Sequence, residues 1–351
     1  MKKTSRIAGE LAFIQQIGRD FHSSQKNITL GIGDDCAILR PPPDSEVLVT
    51  TDLTLENRHF RRDLHPPESV GHRCLARGLS DLAAMGATPI AAFLSLALPA
   101  KMFAESAGRI WITCFFEGLR ALGELHRVPL AGGDTSESPG GNNALILADI
   151  VLIGHAPKGR ALRRSGASAG DALYVTGQLG GAAAELSSMF RRNRLASAKT
   201  TDDHPQLFPE PRLDVGEALL RRNLATACID LSDGLSSDLA HLCRASKLRA
   251  EIEQAALPIH PLARKSGPPA ALRAALHGGE DYELLFSAPT SRPMPTSLAG
   301  VPITRIGTLK NRSSKRPMMT LLAPDGSRTE LEPGGWEHFT KPSTTRSRRS
   351  R

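Results

Sequence analysis

Aromatic side chains are scarce in this chain: its 351 residues include only 2 Trp, 2 Tyr and 11 Phe. Proteins that bind single-stranded nucleic acid commonly stack bases on rows of aromatic rings, so this composition argues against such a platform. Hydrophobic residues still make up 40% of the chain and charged residues 23%, as in ordinary globular proteins. The core must therefore be built from Ala, Leu, Ile and Val.

Cysteines are also few. The five that occur are odd in number and form no C-x-x-C pair, which argues against a disulfide framework and against a zinc site. Met1-Lys2-Lys3 is not followed by an apolar segment, as a secretory signal would require. The sequence therefore predicts a reducing, cytoplasmic location.

An uncharged run over residues 82–98 is nearly long enough to cross a bilayer. Gly86, Pro89 and Ser95 interrupt it, and much of the remainder is Ala. This pattern favours a helix that ends near Gly86, followed by a buried strand over 90–98. We therefore expect no membrane association.

Positive charge is concentrated at one end of the chain. Five of the eight net positive charges lie in the last eleven residues, which leaves +3 for the other 340. A tail of Ser, Thr and Arg is typical of a disordered, solvated segment. We expect no specific nucleic-acid partner, although a basic-tailed nucleic-acid-binding protein remains the alternative from a different class.

The length predicts two domains, at about 150 residues each. Strand-like and helix-like segments alternate in both halves, which is typical of an α/β (α+β) fold. We place an N-terminal domain over 1–157, a C-terminal α/β domain over 158–340 and a disordered tail over 341–351. The predicted strands cover 47–52, 90–98, 128–131, 143–153, 171–176, 227–231, 283–286 and 301–306, and a strand and turn lie within 28–39. The principal predicted helices cover 70–82, 105–126 and 235–242.

Acidic residues recur beside Gly, Ser or Thr at the ends of apolar segments. The pattern appears as GDD (33–35), TTD (50–52), SD (80–81), GGD (132–134), DLSDG (230–234) and GGED (278–281). A single Gly-Asp is usually a turn, and Asp233 alone could cap the helix that follows it. Six such sites in one chain indicate instead hard oxygen ligands gathered for Mg²⁺.

A site so rich in carboxylates repels phosphates unless divalent cations intervene, so its natural ligand is a metal-bound polyphosphate. No Walker loop, protein-kinase motif or EF-hand spacing occurs in the sequence. Gly177-x-x-Gly180-Gly181 is a weak candidate for a phosphate-binding loop. These features predict a Mg²⁺-dependent enzyme that transfers a phosphoryl group from a nucleotide.

Taken in order, the motifs resemble those of the thiamine-monophosphate kinases, within the aminoimidazole-ribonucleotide-synthetase-like superfamily. The similar segments span nearly the whole chain. They are GIGDDCAIL (31–39), TTDLTLENRHF (50–60), LSDLAAMGATP (79–89), AGGDTS (131–136), GRALRRSGASAGDALYVTG (159–177), IDLSDGLSSDLAHL (229–242) and GGEDYELLF (278–286).

The resemblance implies ATP-dependent phosphorylation of thiamine monophosphate to thiamine diphosphate, with several Mg²⁺ ions. It also implies a homodimer in which the N-terminal mixed sheets pair into a barrel-like interface. The implied metal ligands are Asp35, Thr50, Thr51, Asp52, Asp81, Asp134, Asp230 and Asp233. The implied ATP contacts are Gly133, Asp134, Arg164 and Ser232, and the implied thiamine monophosphate contacts are His59, Glu280 and Trp336.

Some alternatives remain open at this point. A selenophosphate or aminoimidazole ribonucleotide synthetase would share the acidic ATP site, but the former needs an early reactive cysteine and none precedes Cys36. Asn57 stands where the family usually has Gly, which predicts a different path for the loop before His59. Trp336 could pack the C-terminal segment rather than touch substrate.

The implied reaction needs no general base. A phosphate monoester has a second pKa of about 6, so its oxygen is already a nucleophile at neutral pH. Catalysis then consists of aligning two polyanions and neutralising their repulsion, and we expect Asp52 and Asp134 to meet at the same Mg²⁺–ATP.

Overall fold

The computed structural model describes residues 17–19, 21, 26–196, 203–337 and 339, so the tail at 341–351 lies outside the described residues. The N-terminal half contains a short hairpin, a four-stranded sheet and two long helices. In chain order its elements are β1 (Ile28–Leu30), β2 (Ile38–Leu39), β3 (Ser45–Leu55), α1 (Pro67–Ala84), β4 (Thr88–Leu98), α2 (Lys101–Ala104), α3 (Ser106–Leu125), β5 (Leu130–Glu137) and β6 (Leu147–Pro157).

The N-terminal sheet has the strand order β3-β6-β4-β5, with β4 and β5 parallel and the other pairs antiparallel. Side chains alternate between its two faces. The inner face buries Leu48, Ile150 and Leu152 against the helices, and the outer face leaves Val49 63% exposed and Leu53 42% exposed. In a single chain this sheet is open, with β3 and β5 as its edges.

Helix α1 lies at the centre of the molecule. It begins after Pro66 with Pro67 at its first position, where a missing N–H costs nothing. Glycines bring α1 and α3 into backbone contact: a Cβ on Gly71 would lie 1.8 Å from the Phe115 carbonyl oxygen, and one on Gly118 would lie 1.9 Å from the Glu68 carbonyl oxygen. Any larger residue at either position would force the helices apart.

The C-terminal half follows as a second sheet with helices. Its elements are β7 (Ala172–Thr176), α4 (Gly181–Arg192), α5 (Leu213–Arg221), β8 (Ala227–Asp230), α6 (Leu235–Ser246), β9 (Leu248–Glu253), α7 (Pro261–Arg264), α8 (Pro268–His277), β10 (Leu284–Ala288), β11 (Ser297–Leu298), β12 (Val301–Asn311), β13 (Met319–Leu322) and β14 (Arg328–Glu330). The sheet order is β14-β13-β9-β12-β7-β10-β8, and β11 pairs with β12.

The two halves share one hydrophobic core. Cys228, Leu284 and Phe286, on one face of the C-terminal sheet, belong to the same buried cluster as the N-terminal sheet and α1. The other face, which includes Leu285, packs with α6 and α8 in a second cluster. Helix α5 joins the halves, since a Cβ on its Gly216 would lie 2.0 Å from the carbonyl oxygen of Ala83 in α1.

The predicted α/β fold is confirmed, and so is the change from helix to strand within 82–98: α1 ends at Ala84 and β4 begins at Thr88. Two placements were wrong. The strand expected at 128–131 continues through Gly132-Gly133-Asp134, so this motif lies within β5 rather than after it. The strand expected over 143–153 lies at 147–157.

Among the described residues, every helix is too short or too polar to cross a membrane.

Candidate active site

A polar stripe runs along one side of α1, formed by Arg73, Arg77, Ser80 and Asp81. Their spacing of four, three and one residues places them on one helix face. Arg73 is 2% exposed and Ser80 is fully buried. Buried polar groups need partners, and these four find theirs among the acidic motifs of the sequence.

Thr50, Asp52, Asp81 and Asp230 form what we call the carboxylate cluster. Thr50 and Asp52 lie on the inner side of β3, and the Thr50 hydroxyl donates a hydrogen bond to the Asp81 carboxylate. The Ser80 hydroxyl donates to Oδ2 of Asp230 over 2.8 Å. Because Asp230 ends β8, the cluster draws on both halves of the chain.

Burial and neighbouring carboxylates raise the pKa of two members of this cluster, Asp81 and Asp230. Burial raises the pKa of Asp230 to about 7, and the neighbouring Asp81 charge adds to the rise. Burial also raises the pKa of Asp81, with a further contribution from Asp52. Arg164 opposes both shifts. The ionised cluster is therefore short of positive charge, which a bound cation would supply.

The donor set of the cluster fits magnesium. It consists of a hydroxyl and carboxylate oxygens, which are hard ligands of the type that Mg²⁺ prefers. Arg77 is a protein cation in contact with the cluster: its Nη2 lies 2.6 Å from Oδ1 of Asp52, and its Nη1 lies 3.9 Å from the Glu280 carboxylate. Arg77 thus links the cluster to the residues implied for the acceptor.

The turn that carries Ser232 and Asp233 is held by a residue that the sequence motifs did not indicate. Oδ2 of Asp238 accepts the backbone N–H groups of Asp233 over 3.1 Å and of Gly234 over 3.0 Å. Burial raises the pKa of Asp238 to about 8, with smaller contributions from Asp230 and Asp233. The N-cap residue of α6 is Gly234, so Asp233 precedes the cap instead of forming it.

Glu280 is one of the residues implied for thiamine monophosphate binding. Its carboxylate accepts hydrogen bonds from Arg73 Nη2 over 2.5 Å and from Gln206 Nε2 over 2.9 Å. His59 Nδ1 accepts the Leu55 N–H over 2.9 Å. Burial acts to raise the pKa of the Glu280 carboxyl group, but the charge of Arg73, the Gln206 hydrogen bond and the charges of Arg77 and His59 together hold that pKa below its ordinary value. His59 and Glu280 are therefore brought to one place, beside the carboxylate cluster.

The loop before His59 contains a non-glycine residue in a left-handed conformation. Asn57 has φ +65, in the left-handed region that glycine favours and asparagine tolerates. The different path expected for the loop before His59 stays a prediction.

Asp35, Gly133 and Asp134 form a second group. They line a cavity of about 830 Å³ whose walls include Phe93, Leu96 and Phe116. Asp134 pairs in register with Ser95, and Ser95 pairs with Asp149, so the Asp134 and Asp149 side chains lie on the same, outer face of the sheet. Thr51 lies on this face too, and its hydroxyl donates a hydrogen bond to Asp149 over 3.0 Å. Asp52 faces inward. Within one chain, the expected meeting of Asp52 and Asp134 is therefore wrong.

The glycine turn at 177–181 already has an acidic partner. Asp281 accepts the N–H of Gly180 over 2.6 Å and that of Ala182 over 3.2 Å, at the start of α4. Burial raises the pKa of Asp281 to about 7. The suggestion that this turn binds a phosphate is wrong, because a side chain of the protein occupies the helix N-terminus.

Trp336 lies beside the Asp233 turn. Its backbone N–H donates to the Asp233 carbonyl oxygen over 3.1 Å, and a Cβ on the preceding Gly335 would lie 2.0 Å from that oxygen. The residue is nevertheless 53% exposed. The segment is thus tied down through its backbone while the indole remains accessible.

The sequence reasoning missed Arg73, Arg77, Ser80, Gln206 and Asp238. A signal for the first three was present, since polar residues interrupt the apolar positions of α1 at helical spacing. Gln206 carried no signal, because it lies in a polar connection between α4 and α5 and meets Glu280 only in the folded chain.

Comparison with family models places both halves of the chain in one class of protein. Residues 33–156 match the N-terminal domain of AIR synthase related proteins, and residues 168–294 match the C-terminal domain. The chain is therefore an AIR synthase related protein. The hydrogenase maturation protein HypE, in complex with ATP, shares the fold with a TM-score of 0.73 at 17% identity.

Individual relatives indicate which family of AIR synthase related proteins the chain belongs to. Thiamine-monophosphate kinase of Escherichia coli K12 is 38% identical over 341 residues, covering 95% of this chain and 99% of that protein. The crystal structure of the Stenotrophomonas maltophilia enzyme matches at 31% identity with a TM-score of 0.74, covering 94% of this chain and 98% of that one. A complex of AaThiL with AMPPCP and TMP matches at 28% identity with a TM-score of 0.70, covering 97% and 100%. The chain belongs to the thiamine-monophosphate kinase family.

Proposed function

We propose that the protein transfers the γ-phosphoryl group of ATP to thiamine monophosphate, giving ADP and thiamine diphosphate, with Mg²⁺ at the carboxylate cluster. The observation that carries this proposal is the cluster itself: Asp52, Asp81 and Asp230 converge from both halves of the chain beside Glu280. The AaThiL complex, which holds an ATP analogue and TMP, supports the same pair of substrates.

We assign one set of residues to Mg²⁺, a second to ATP and a third to thiamine monophosphate. When bound, Mg²⁺ supplies the positive charge that lets two polyanions approach each other. Thr50, Asp52, Asp81, Asp230 and Asp233 would hold it on the inner side. We assign Arg164 and Ser232 to ATP, and His59 and Glu280 to the acceptor. No residue is assigned as a general base, since the attacking phosphate oxygen is already ionised at neutral pH.

The second group, Asp35, Thr51, Gly133 and Asp134, we assign to further Mg²⁺ and ATP contacts. Its cavity has acidic residues at the hairpin and apolar walls at Phe93 and Phe116, a combination suited to a nucleotide base beside metal-bound phosphates.

A homodimer formed through the N-terminal sheet also belongs to the proposal. Val47, Val49 and Leu53 alternate along the outer side of β3, an edge strand, and each is more than 40% exposed. Such a row of apolar side chains is typical of an interface. Sedimentation of the full chain would distinguish the 37.6 kDa monomer from a particle of twice that mass.

The function is tested by coupled detection of ADP with thiamine monophosphate, thiamine and other phosphorylated compounds as acceptors. We expect ADP release that depends on thiamine monophosphate and on Mg²⁺. Release with another acceptor alone would favour a different enzyme of the same superfamily. Salt-dependent DNA or RNA binding that disappears on removal of 341–351 would favour the nucleic-acid alternative.

Replacing Trp336 by Leu tests the assignment of Trp336 to the acceptor. An indole attracts a cationic ring such as thiazolium by roughly 0.5–2 kcal/mol, so the KM for thiamine monophosphate should rise about three- to thirtyfold. The KM for ATP and the melting temperature should hardly change, because the residue is 53% exposed. A lower melting temperature with an unchanged acceptor KM would identify Trp336 as a packing residue.

A further inference from the structure

The loop that carries Glu280 is constrained at two neighbouring positions. Glu280 has φ +66 and Tyr282 has φ +50, although neither is glycine. The backbone N–H of Glu280 donates to the Ser232 carbonyl oxygen over 2.8 Å, and that of Tyr282 donates to the Leu231 carbonyl oxygen over 2.9 Å. Left-handed conformations at such residues persist only where the surroundings enforce them, and they are concentrated at functional sites.

The Glu280 side chain is constrained as well, by one hydrogen-bond partner on each oxygen, with Arg77 Nη1 farther away at 3.9 Å. Arg73 donates to Oε1 and Gln206 donates to Oε2. Both partners are only 2% exposed, whereas the Glu280 side chain is 24% exposed. They therefore hold the carboxylate from its buried side. Since a carboxylate has about four acceptor positions, its open side can still bind a ligand.

These partners are poorly explained as structural residues. Arg73 Nη1 and Gln206 Oε1 are buried and have no hydrogen-bond partner among the described residues. Burying such atoms costs stability, which an apolar side chain would avoid. Nor does the chain need the Gln206 side chain to fix its backbone, because the Gln206 N–H already donates to Oε2 of Glu185 over 2.8 Å. Residues retained at such a cost are typical of functional sites.

We propose that Arg73 and Gln206 are positioning residues that fix the Glu280 carboxylate in one orientation for a cationic acceptor. This inference rests on the proposed function, in which Glu280 faces thiamine monophosphate, whose thiazolium ring carries a positive charge. A carboxylate that is oriented before binding loses less conformational freedom when the cation arrives. Its orientation should therefore affect acceptor binding more than turnover or ATP binding.

The test is the variant Gln206→Leu, which removes the hydrogen bond to Glu280 and keeps the backbone contact with Glu185. We expect the KM for thiamine monophosphate to rise about ten- to hundredfold, as for a lost hydrogen bond to a charged group. The kcat and the KM for ATP should stay within about twofold. The melting temperature should fall by no more than about 2 °C, because the buried unpaired amide oxygen is removed as well. Arg73→Lys, which keeps the charge and loses the guanidinium geometry, should raise the same KM.

Arg212→Lys is the matched control. The Arg212 side chain is 17% exposed and donates two hydrogen bonds, over 2.7 Å and 2.8 Å, to the buried Glu283 carboxylate. Among the described residues, no ion pair joins Arg212 to Glu280. This substitution should lower the melting temperature and leave the acceptor KM unchanged. An unchanged acceptor KM in Gln206→Leu, an equal rise in the control, or failure of Gln206→Leu to fold would each overturn the proposal. If the unaltered chain shows no release of ADP dependent on thiamine monophosphate, it is the proposed function that fails.

Discussion

Replacing Asp52 by Asn should lower kcat at least about 100-fold, judging from the charge stabilisation that a catalytic metal ion provides. Asp52 lies on the inner side of β3 with its Oδ1 bonded to Arg77 over 2.6 Å. An amide keeps the shape of the side chain and one acceptor oxygen, but it removes a negative charge from a site for a hard cation. The loss should therefore appear in Mg²⁺ binding and in turnover, while the fold is preserved.

The measurement is kcat across a Mg²⁺ titration, together with the melting temperature. Asp63→Asn is a suitable control, because Asp63 is an exposed carboxylate whose ion pair is with Arg61 and not with a residue of the carboxylate cluster. Near-normal turnover of the Asp52 variant at saturating Mg²⁺ would remove Asp52 from the metal ligands. Asp134→Asn, made in parallel, reports separately on the group at the outer face, since Asp134 and Asp52 lie on opposite sides of the sheet.

Replacing Asp230 by Asn should give a protein that is inactive and yet more resistant to heat in the absence of metal. Burial and the Asp81 charge raise the pKa of Asp230 in the folded chain to about 7. Such a group stabilises the fold fully below its unfolded pKa of about 3.9, and this stabilisation is lost as the pH rises through 7. Asn accepts the Ser80 hydrogen bond without a charge, so the variant avoids that loss.

The expected difference in melting temperature therefore depends on pH. At pH 8 the metal-free variant should melt a few degrees higher than the unaltered chain, as about 1–2 kcal/mol implies for a protein of this size. Near pH 4 the two should converge. Added Mg²⁺ should raise the melting temperature of the unaltered chain and hardly affect the variant. A variant that is less stable than the unaltered chain at pH 8 would show that the Asp230 charge is already compensated within the protein.

The sequence predicts an element of the fold well where neighbouring residues mark its ends, and poorly where they do not. The change from helix to strand near Gly86 was predictable, because a glycine and a proline interrupt an otherwise apolar run. Strand β9, with the sequence LRAEIE, alternates apolar and polar residues but follows α6 after a single residue, Lys247. That residue has φ +57, so the turn that ends the helix gave no glycine signal.

The site was predictable in its chemistry and less so in its geometry. Motifs containing Asp and Gly indicated metal ligands, and the structure brings Thr50, Asp52, Asp81 and Asp230 together. The separation of Asp134 from Asp52 depends on strand register, since a shift of one residue moves a side chain to the other face of the sheet. Gln206 could not have been found, because nothing local connects it to Glu280 across 74 residues.

The shared core also has a consequence for how the chain can be divided. The family models separate residues 33–156 from 168–294, but Phe286 and Leu284 of the later segment are buried in the same cluster as α1 of the earlier one. Expressed alone, either piece would expose this apolar surface to water and would be prone to aggregate. We therefore expect that neither segment folds stably by itself. The full chain should melt in a single cooperative transition.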